Sequence, residues 1–324
     1  MTLVRPSAVR EPQFIQLHCP DAEALRTELS AGLCDQPARC APKYFYDALG
    51  SRLFEAITEL PEYYPTRTEA QIFERHAREV ARVVGRGATL IDLGAGNCAK
   101  AAALFTALQP ARYVAVDIAV DFVRGALNAL QRQFPAMPMV GVGLDFSHTL
   151  SLPAPAQDGR PVFFYPGSSI GNFAPDEALA FLRSVRDAAG GGGLLIGVDL
   201  VKPTAILEAA YDDALGVTAA FNLNVLAHVN RLIGADFRLS QWRHVAFFDP
   251  ARSRIEMHLE AREATTVRWP GGERRFVAGE RIHTENSYKY TPRAFAELLV
   301  AAGFRAPRQW LDPQQWFAVF WADA

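Results

Sequence analysis

Short apolar runs alternate with stretches of helical periodicity between residues 66 and 201. This alternation is typical of βαβ units, in which helices cover a parallel sheet. The apolar runs predict five strands, at residues 88–94, 113–118, 139–145, 161–167 and 193–200. Helical periodicity is found near residues 99–108, 119–133 and 176–189. We therefore expect a doubly wound α/β domain.

The pattern changes after Lys202, where a long helical stretch of about residues 204–232 begins. Segments of alternating polarity, joined by turn-rich residues, then predict antiparallel strands. These segments lie at residues 243–249, 253–263 and 274–280. A last helix near 292–302 and the apolar run 316–322 could rejoin the first sheet. The sequence thus predicts a nucleotide-binding type of domain that is interrupted by an insertion.

The composition is that of an ordinary globular protein, because 50% of the residues are hydrophobic and only 21% are charged. The formal net charge of −2, with scattered basic residues, provides no basic patch for a nucleic acid and favours a small substrate. The most apolar stretch, near 191–201, is far shorter than the roughly 20 residues that span a bilayer. Without a CxxC pair or an apolar run of signal-peptide length, we expect a cytoplasmic protein with no membrane partner.

A glycine turn follows the first predicted strand, in the segment DLGAGN at residues 92–97. Gly94 and Gly96 can tighten this turn and let a ligand approach the backbone. Asp117, 21 residues after Gly96, ends the second strand, where a carboxylate can accept hydrogen bonds from ribose hydroxyls. The third glycine of the dinucleotide fingerprint is missing, which argues against NAD or FAD. S-adenosylmethionine carries no phosphate and fits this turn better.

Two residues after the third strand extend the predicted cofactor site. Asp145 can accept a hydrogen bond from the adenine amino group and Phe146 can cover the ring, since ligands of doubly wound folds bind at strand ends. Lys100 lies in the first turn of the next helix, where the helix dipole does not favour a cation. It is either a solvated helix charge or a contact to the carboxylate of the cofactor's methionyl part.

Six longer motifs are far more specific than the glycine turn. They are YFYDALGSRLFEAITELPEYYPTRTE (44–69), IDLGAGNCAK (91–100), YPGSSIGNF (165–173), AAYDDALGVTAAFNLNVLAHVNR (209–231), RIEMHLEA (254–261) and RIHTENSYKYT (281–291). In these motifs the chain closely resembles the histidine Nα-methyltransferases of ergothioneine biosynthesis and their relatives that act on prenylated tryptophan. The resemblance covers nearly the whole chain from about residue 40, and the N-terminal segment departs most.

The resemblance implies a Rossmann-like, doubly wound S-adenosylmethionine-dependent methyltransferase domain with an inserted α+β substrate-binding domain. The implied methyltransferase domain comprises 66–201 and 287–324, and the substrate-binding domain comprises 20–65 and 202–286, with 1–19 unassigned. The implied cofactor contacts are Gly94, Lys100, Asp117, Asp145 and Phe146, with Tyr46 close to the reacting end. The implied substrate contacts are Tyr63, Asn172, Tyr211, Met257, Glu285 and Ser287.

The implied substrate contacts also have a chemical rationale. The amide of Asn172 can present a donor and an acceptor to a zwitterionic amino acid, or it can serve a turn or helix cap instead. Tyr63 and Tyr211 can donate to a carboxylate, although buried tyrosines often belong to a core. These residues therefore fit an amino-acid substrate.

Glu285 and Ser287 alternate along an extended segment, so their side chains should face the same side. A carboxylate at one imidazole nitrogen and a hydroxyl at the other would recognise both edges of histidine. An indole would offer only one N–H to this pair. The alternative is an exposed strand face with a salt bridge from Lys289 to the carboxylate.

We expect methylation of the α-amino group of L-histidine, up to the trimethylated betaine. Tyr46, Tyr63 or a water held by Asn172 could guide loss of the amine proton, and the sequence leaves this choice open. Alternatives are another amino acid, such as a tryptophan derivative, or a non-catalytic cofactor-binding regulator. No metal is expected, since no His or Cys completes a ligand set around Asp212 and Asp213, for which helix solvation or capping is the better interpretation. We expect a monomer.

Overall fold

The computed structural model describes residues 10–17, 21–118, 120–146 and 150–324, so that part of the predicted N-terminal segment lies outside the described residues. The strands are β1 Gln13–Gln16, β2 Ala38–Arg39, β3 Thr89–Leu93, β4 Arg112–Asp117, β5 Met139–Gly143, β6 Pro161–Tyr165, β7 Gly193–Asp199, β8 Trp242–Asp249, β9 Arg254–Ala261, β10 Thr265–Trp269, β11 Gly272–Phe276, β12 Arg281–Tyr288, β13 Arg305–Leu311 and β14 Phe317–Asp323. The α-helices are α1 Ala22–Cys34, α2 Ala48–Thr58, α3 Tyr64–Val84, α4 Ala99–Leu108, α5 Val120–Gln133, α6 Ala154–Gln157, α7 Pro175–Ala188, α8 Thr204–Ala209, α9 Val217–Ile233 and α10 Pro292–Ala301. Within these ranges, no helix is both long and apolar enough to cross a membrane.

In the described ranges, eight strands form one sheet in the order β1-β5-β4-β3-β6-β7-β14-β13. The strands from β1 to β7 in this order are parallel, and β14 runs antiparallel between β7 and β13. Helices α3, α4 and α5 pack on one face and α7 and α10 on the other, so every residue of β3 and β7 is buried. This sheet confirms the doubly wound fold and all five predicted strands. The last apolar run returns to it as β14, as predicted.

A second core lies between a four-stranded sheet, in the order β2-β12-β9-β8, and helices α1, α2 and α9. Two of the predicted antiparallel segments form its β8 and β9, which pair with each other. The third forms β11, which pairs with β10 in a separate hairpin instead. Trp242 of β8 and Phe276 of β11 meet edge to face at 5.0 Å and join the hairpin to this core.

The predicted helical stretch over about 204–232 is helical but not continuous, because the structure divides it into α8 and α9. Asp213 lies between them, and its carboxylate accepts hydrogen bonds from the backbone N–H groups of Val217 (3.0 Å) and Thr218 (2.7 Å). A carboxylate in this position satisfies N–H groups that have no partner within a helix. Asp213 therefore caps α9, which is the structural role that the sequence favoured over a metal site.

Strand β1 comes from the N-terminal segment to which the sequence assigned no role. Its residues Gln13–Gln16 pair in parallel with β5 at the edge of the large sheet. Phe14 packs against Gly141, where a Cβ atom would lie only 2.7 Å from the Phe14 ring. The absence of a side chain at Gly141 therefore allows Phe14 to cover this end of the sheet.

Candidate active site

The glycine turn lies where β3 and β4 end side by side. Gly94 and Gly96 have φ angles of +71° and +52°, a left-handed backbone that glycine adopts without steric cost. Asp117 ends β4, and its Oδ2 accepts a hydrogen bond from the backbone N–H of Gly96 at 2.9 Å. The carboxylate thus holds the turn at the strand ends, where folds of this type bind ligands.

Asp145 and Phe146 follow β5, which ends at Gly143 rather than at the predicted residue 145. The Phe146 ring lies beside the turn, because a Cβ atom on Gly94 would be 3.9 Å from its Cζ. The Oδ2 atom of Asp145 lies 3.7 Å from Nζ of Lys43, a residue that the sequence analysis missed. The glycine turn, the carboxylates and the aromatic ring all lie at the carboxyl ends of neighbouring parallel strands. Together they are suited to binding a nucleoside.

Lys100 lies in the first turn of α4 and already has an acidic partner. Its Nζ donates to Oε2 of Glu69 at 2.6 Å, and 35% of its side chain is exposed. The other oxygen of Glu69, a buried residue of α3, accepts from the backbone N–H of Gly167 at 2.8 Å. Lys100 is therefore fixed near the end of β6, and its contact with a cofactor carboxylate stays a prediction.

A cavity between the two cores gathers all the residues that were predicted to act on the substrate. Tyr46 and Tyr63 come from the segments before and after α2, and Asn172 ends a 3₁₀ turn after β6. The remaining members come from the segment after α8 and from strands β9 and β12: Tyr211, Met257, Glu285 and Ser287. Phe54 and Phe221 also line the cavity, although the sequence analysis did not single them out.

Two local features bring the amide and the strand residues together. Glu285 and Ser287 are two residues apart on β12, and Met257 of β9 is the cross-strand neighbour of Glu285. Gly171 lies so close to β12 that a Cβ atom there would be 2.9 Å from the backbone oxygen of Tyr288. Only glycine allows this approach, and the next residue, Asn172, therefore enters the cavity beside β12.

Burial determines the charge state of the cavity residues. Desolvation raises the pKa of Glu285 to about 7, an effect that the nearby Lys289 ammonium partly opposes. Burial also raises the pKa of the Tyr46, Tyr63 and Tyr211 phenols well above their usual value. At neutral pH these phenols remain protonated, so they can donate hydrogen bonds but do not begin a reaction as phenolate bases.

The strand face that carries Glu285 is buried, which contradicts the alternative of an exposed face with a Glu285–Lys289 salt bridge. Glu285 is only 8% exposed. The ammonium of Lys289 pairs with Asp199 at 2.8 Å, in a cluster that also contains Lys202. Attraction to Lys202 and Lys289 outweighs desolvation and lowers the pKa of Asp199. No pattern in the sequence predicted this buried charge cluster.

We expect Asp117→Ala to weaken S-adenosylmethionine binding roughly tenfold or more, because it removes the acceptor for the ribose hydroxyls. The substitution also removes the hydrogen bond to the Gly96 N–H. Asp117→Asn is the matched control, since its amide oxygen can keep that bond while the negative charge is lost. Calorimetric titration of both folded variants measures the effect. Unchanged affinity in Asp117→Ala would contradict the ribose role.

The raised pKa of Glu285 predicts a pH-dependent cost to the ligand-free protein. Between its usual pKa of 4.5 and about 7, the carboxyl is protonated when folded but ionised when unfolded, so rising pH removes stability. Glu285→Gln should therefore gain stability relative to wild type at pH 8 but not at pH 5, by on the order of 2 kcal/mol. Chemical denaturation at both pH values tests this. An equal stability difference at the two values would disprove it.

Comparisons with known proteins agree with this architecture. A family model described as histidine-specific methyltransferase, SAM-dependent, matches residues 25–324. The chain is 43% identical over 300 residues to histidine N-alpha-methyltransferase of Mycolicibacterium smegmatis, covering 90% of this chain and 92% of that protein. It is 41% identical over 297 residues to the protein of the same name from Mycobacterium tuberculosis, covering 89% and 91%. It is also 31% identical to ergothioneine biosynthesis protein 1 of Neurospora crassa, covering 88% of this chain and 33% of that longer protein.

The doubly wound sheet, the glycine turn and the acid at the end of β4, together with the match to a SAM-dependent family model, place the chain in the class of S-adenosylmethionine-dependent methyltransferases. Within this class, the chain belongs to the SAM-dependent, histidine-specific methyltransferase family. The resemblance inferred from the six sequence motifs is thereby confirmed. In the part of the chain that the structure describes, no group of three or more His, Cys, Asp or Glu side chains is placed to hold a metal ion.

Proposed function

We propose that this protein transfers methyl groups from S-adenosylmethionine to the α-amino nitrogen of L-histidine. Three successive transfers would yield the trimethylated betaine, hercynine, for ergothioneine biosynthesis. The observation that carries the proposal is the cavity in which Asn172, Tyr63 and Tyr211 lie together with Glu285 and Ser287. Groups for the amino-acid end and groups for a polar ring thus line one cavity.

Glu285 and Ser287 supply the recognition of the imidazole ring. Ionised Glu285 accepts from one ring N–H, and Ser287 offers a hydroxyl to the other ring nitrogen. Met257 lies across from Glu285 and supplies an apolar contact to the ring. A ring without two nitrogens would leave one of these buried polar groups without a partner, which is costly in a desolvated site.

Tyr63 and Asn172 hold the amino-acid end. The protonated Tyr63 phenol can donate to the substrate carboxylate, and its ring meets that of Tyr211 edge to face at 6.4 Å. The Tyr211 hydroxyl donates to Oγ of Ser287 at 2.7 Å instead, so the predicted contact of Tyr211 with the carboxylate is replaced by a contact with the ring-binding side of the cavity. The Asn172 amide oxygen can accept from the α-ammonium, which orients the nitrogen. Since Tyr46 stays protonated, its oxygen can relay the amine proton towards water but does not keep it.

The proposed cofactor site and the cavity meet at Gly167. This residue lines the cavity, and a Cβ atom on it would lie 3.0 Å from Nζ of Lys100. Gly94, Lys100, Asp117, Asp145 and Phe146 would hold S-adenosylmethionine there, and the bound cofactor supplies an electrophilic methyl group on a sulfonium. The side chains need only align and desolvate the amine, and such positioning can supply about 7 to 11 kcal/mol.

Aromatic rings around the reacting nitrogen fit a product whose positive charge becomes permanent. Tyr46 meets Phe54 at 5.8 Å and Phe221 at 6.0 Å, both edge to face. Ring faces attract a methylated ammonium through cation–π interaction without requiring an N–H donor. The same cavity can therefore hold the amine as it gains one, two and three methyl groups.

One incubation tests the proposal. The protein, S-adenosylmethionine and a mixture of amino acids that includes tryptophan derivatives are incubated together, and the methylated products are identified by mass spectrometry. Mono-, di- and trimethylated histidine are the expected products. Methylation of a tryptophan derivative in preference to histidine would contradict the substrate assignment, and cofactor binding without any product would indicate a non-catalytic regulator.

The assignment of 66–201 and 287–324 to the cofactor domain and of 20–65 and 202–286 to the substrate domain is part of the proposal. The separate cores around the two main sheets support this division. A monomeric state, a cytoplasmic location and the absence of a nucleic-acid partner stay predictions from the sequence.

A further inference from the structure

Lys289 lies directly behind the proposed imidazole site and uses all of its hydrogen-bond donors there. Its side chain is completely buried. Nζ donates to Oδ2 of Asp199 at 2.8 Å, to Oγ of Ser287 at 2.7 Å and to the Tyr211 hydroxyl at 3.1 Å. An ammonium has three donors and no acceptor. Both hydroxyl oxygens therefore accept a hydrogen bond from Lys289.

The hydrogen bond between the Tyr211 and Ser287 hydroxyls then determines the direction in which each hydroxyl hydrogen points. The Tyr211 hydroxyl donates to Oγ of Ser287 at 2.7 Å, as expected because a phenol is a stronger acid than an alcohol. Oγ of Ser287 thus accepts two hydrogen bonds, which is the full capacity of a hydroxyl oxygen. Its own O–H must find an acceptor elsewhere, and Ser287 lines the cavity.

The ammonium cannot easily turn away from this arrangement. Asp199, at the end of β7, also accepts hydrogen bonds from Lys202 and from the Tyr64 hydroxyl, the latter at 2.7 Å. Its backbone N–H donates to Oγ of Ser168 at 2.8 Å. These contacts at the end of the large sheet therefore fix the Asp199 carboxylate. The carboxylate in turn holds the Lys289 ammonium against the hydroxyls of Ser287 and Tyr211.

We propose that Lys289 is a positioning residue that makes Ser287 a hydrogen-bond donor towards the cavity, so that the site selects a ring nitrogen with a free lone pair. With Glu285 accepting from an N–H, the pair then selects a ring that carries one N–H and one lone-pair nitrogen. Neutral imidazole meets this requirement and pyrrole does not. The inference rests on the proposed function, since it assigns the neutral protonation state of the histidine ring that the same cavity binds.

The test compares histidine with its two pyrrole analogues, 3-(pyrrol-2-yl)alanine and 3-(pyrrol-3-yl)alanine. Each analogue keeps one ring N–H and replaces the other nitrogen by C–H. The measured quantity is the ratio of the dissociation constants for the better-binding analogue and for histidine. In wild type the O–H of Ser287 loses its acceptor on the analogue, and we expect a ratio of roughly tenfold or more.

In Lys289→Met, the Ser287 O–H can turn back to the Tyr211 oxygen, so the ratio should fall to within about threefold. Ser287→Ala gives the ratio expected when this hydroxyl contributes nothing. Lys202→Met is the matched control, because Lys202 is a buried partner of the same Asp199 but the structure gives it no hydrogen bond to Ser287 or Tyr211. It should lower stability and keep the wild-type ratio.

Removing one buried lysine can impair folding, so Lys289→Met/Asp199→Asn provides a second variant in which the net charge of the cluster is unchanged. Its ratio should also fall to that of Ser287→Ala, with S-adenosylmethionine binding as the check on folding. If the Lys289 variants bind histidine and the analogue more weakly by the same factor, the ratio is unchanged and the inference is overturned. An equal fall in the ratio for Lys202→Met would also overturn it. If wild type neither binds nor methylates histidine, the proposed function itself fails.

Discussion

Replacing Asn172 with alanine is expected to lower kcat about 100-fold while the melting temperature stays close to that of wild type. The reason is that the amide orients the α-amino nitrogen, and a misplacement of about 1 Å at a reacting atom can cost this much. Asn172 is partly exposed and lines the cavity, so its loss removes little packing. Steady-state kinetics with histidine, together with thermal denaturation, measure the two effects.

Asn230 offers a matched control on α9. Its side-chain amide donates to the backbone oxygen of Phe237 at 2.8 Å and accepts from the backbone N–H of the same residue at 2.9 Å. Asn230→Ala should therefore lower stability by about 1 to 2 kcal/mol and leave kcat near the wild-type value. If Asn172→Ala instead loses stability and activity together, Asn172 serves the turn after β6 rather than the reaction.

The central strands could be predicted from the sequence because their environment leaves a simple signal. Strands β3 and β7 are buried on both faces, so they are read as continuous apolar runs. Strands β1 and β13 lie at the two edges of the sheet, and both have exposed positions. Strand β1 pairs with β5, far away in the sequence, whereas β13 pairs with the next strand, β14; neither edge strand has the apolar run that marks the central strands.

The division of the predicted helix into α8 and α9 was missed for a different reason. Residues 204–232 keep enough apolar periodicity to suggest one helix, whereas the interruption lies at Gly216, with a left-handed φ of +74°, and at the Asp213 carboxylate that accepts from the first N–H groups of α9. The sequence did favour a capping role for the aspartate pair. It gave no indication that a second helix begins there, although this interruption places Tyr211 at the cavity.

The candidate site could be predicted mainly where motifs of the family are present. Resemblance brought together Tyr46, Asn172 and Glu285, which are widely separated along the chain, and the cavity contains all three. The resemblance assigned no role to the partners that fix the site, although Tyr64 and Glu69 lie in the motif at 44–69. Glu69 holds Lys100 from 31 residues away, and the hydroxyl of Tyr64 reaches Asp199 across 135 residues.

Glu285→Ala is expected to weaken histidine binding while S-adenosylmethionine binding stays almost unchanged. The substitution removes the acceptor for one ring N–H and leaves that polar group without a partner in a desolvated cavity, a loss on the order of 1 to 3 kcal/mol. Histidine should then bind roughly 5- to 150-fold more weakly. The proposed cofactor contacts follow β3, β4 and β5, away from β12. Titrations of wild type and variant with each ligand measure both affinities.

Glu260 provides the control, because it is a strand carboxylate of the same four-stranded sheet that pairs with Arg243 and Arg281 and does not line the cavity. Glu260→Ala should leave histidine affinity unchanged. Unchanged affinity for histidine in Glu285→Ala would show that the carboxylate does not contact the ring. Tighter binding of tryptophan derivatives than of histidine by wild type would also contradict the imidazole assignment. Either result would contradict the imidazole assignment but not the assignment to the methyltransferase family, because the family match and the proposed cofactor site do not depend on Glu285.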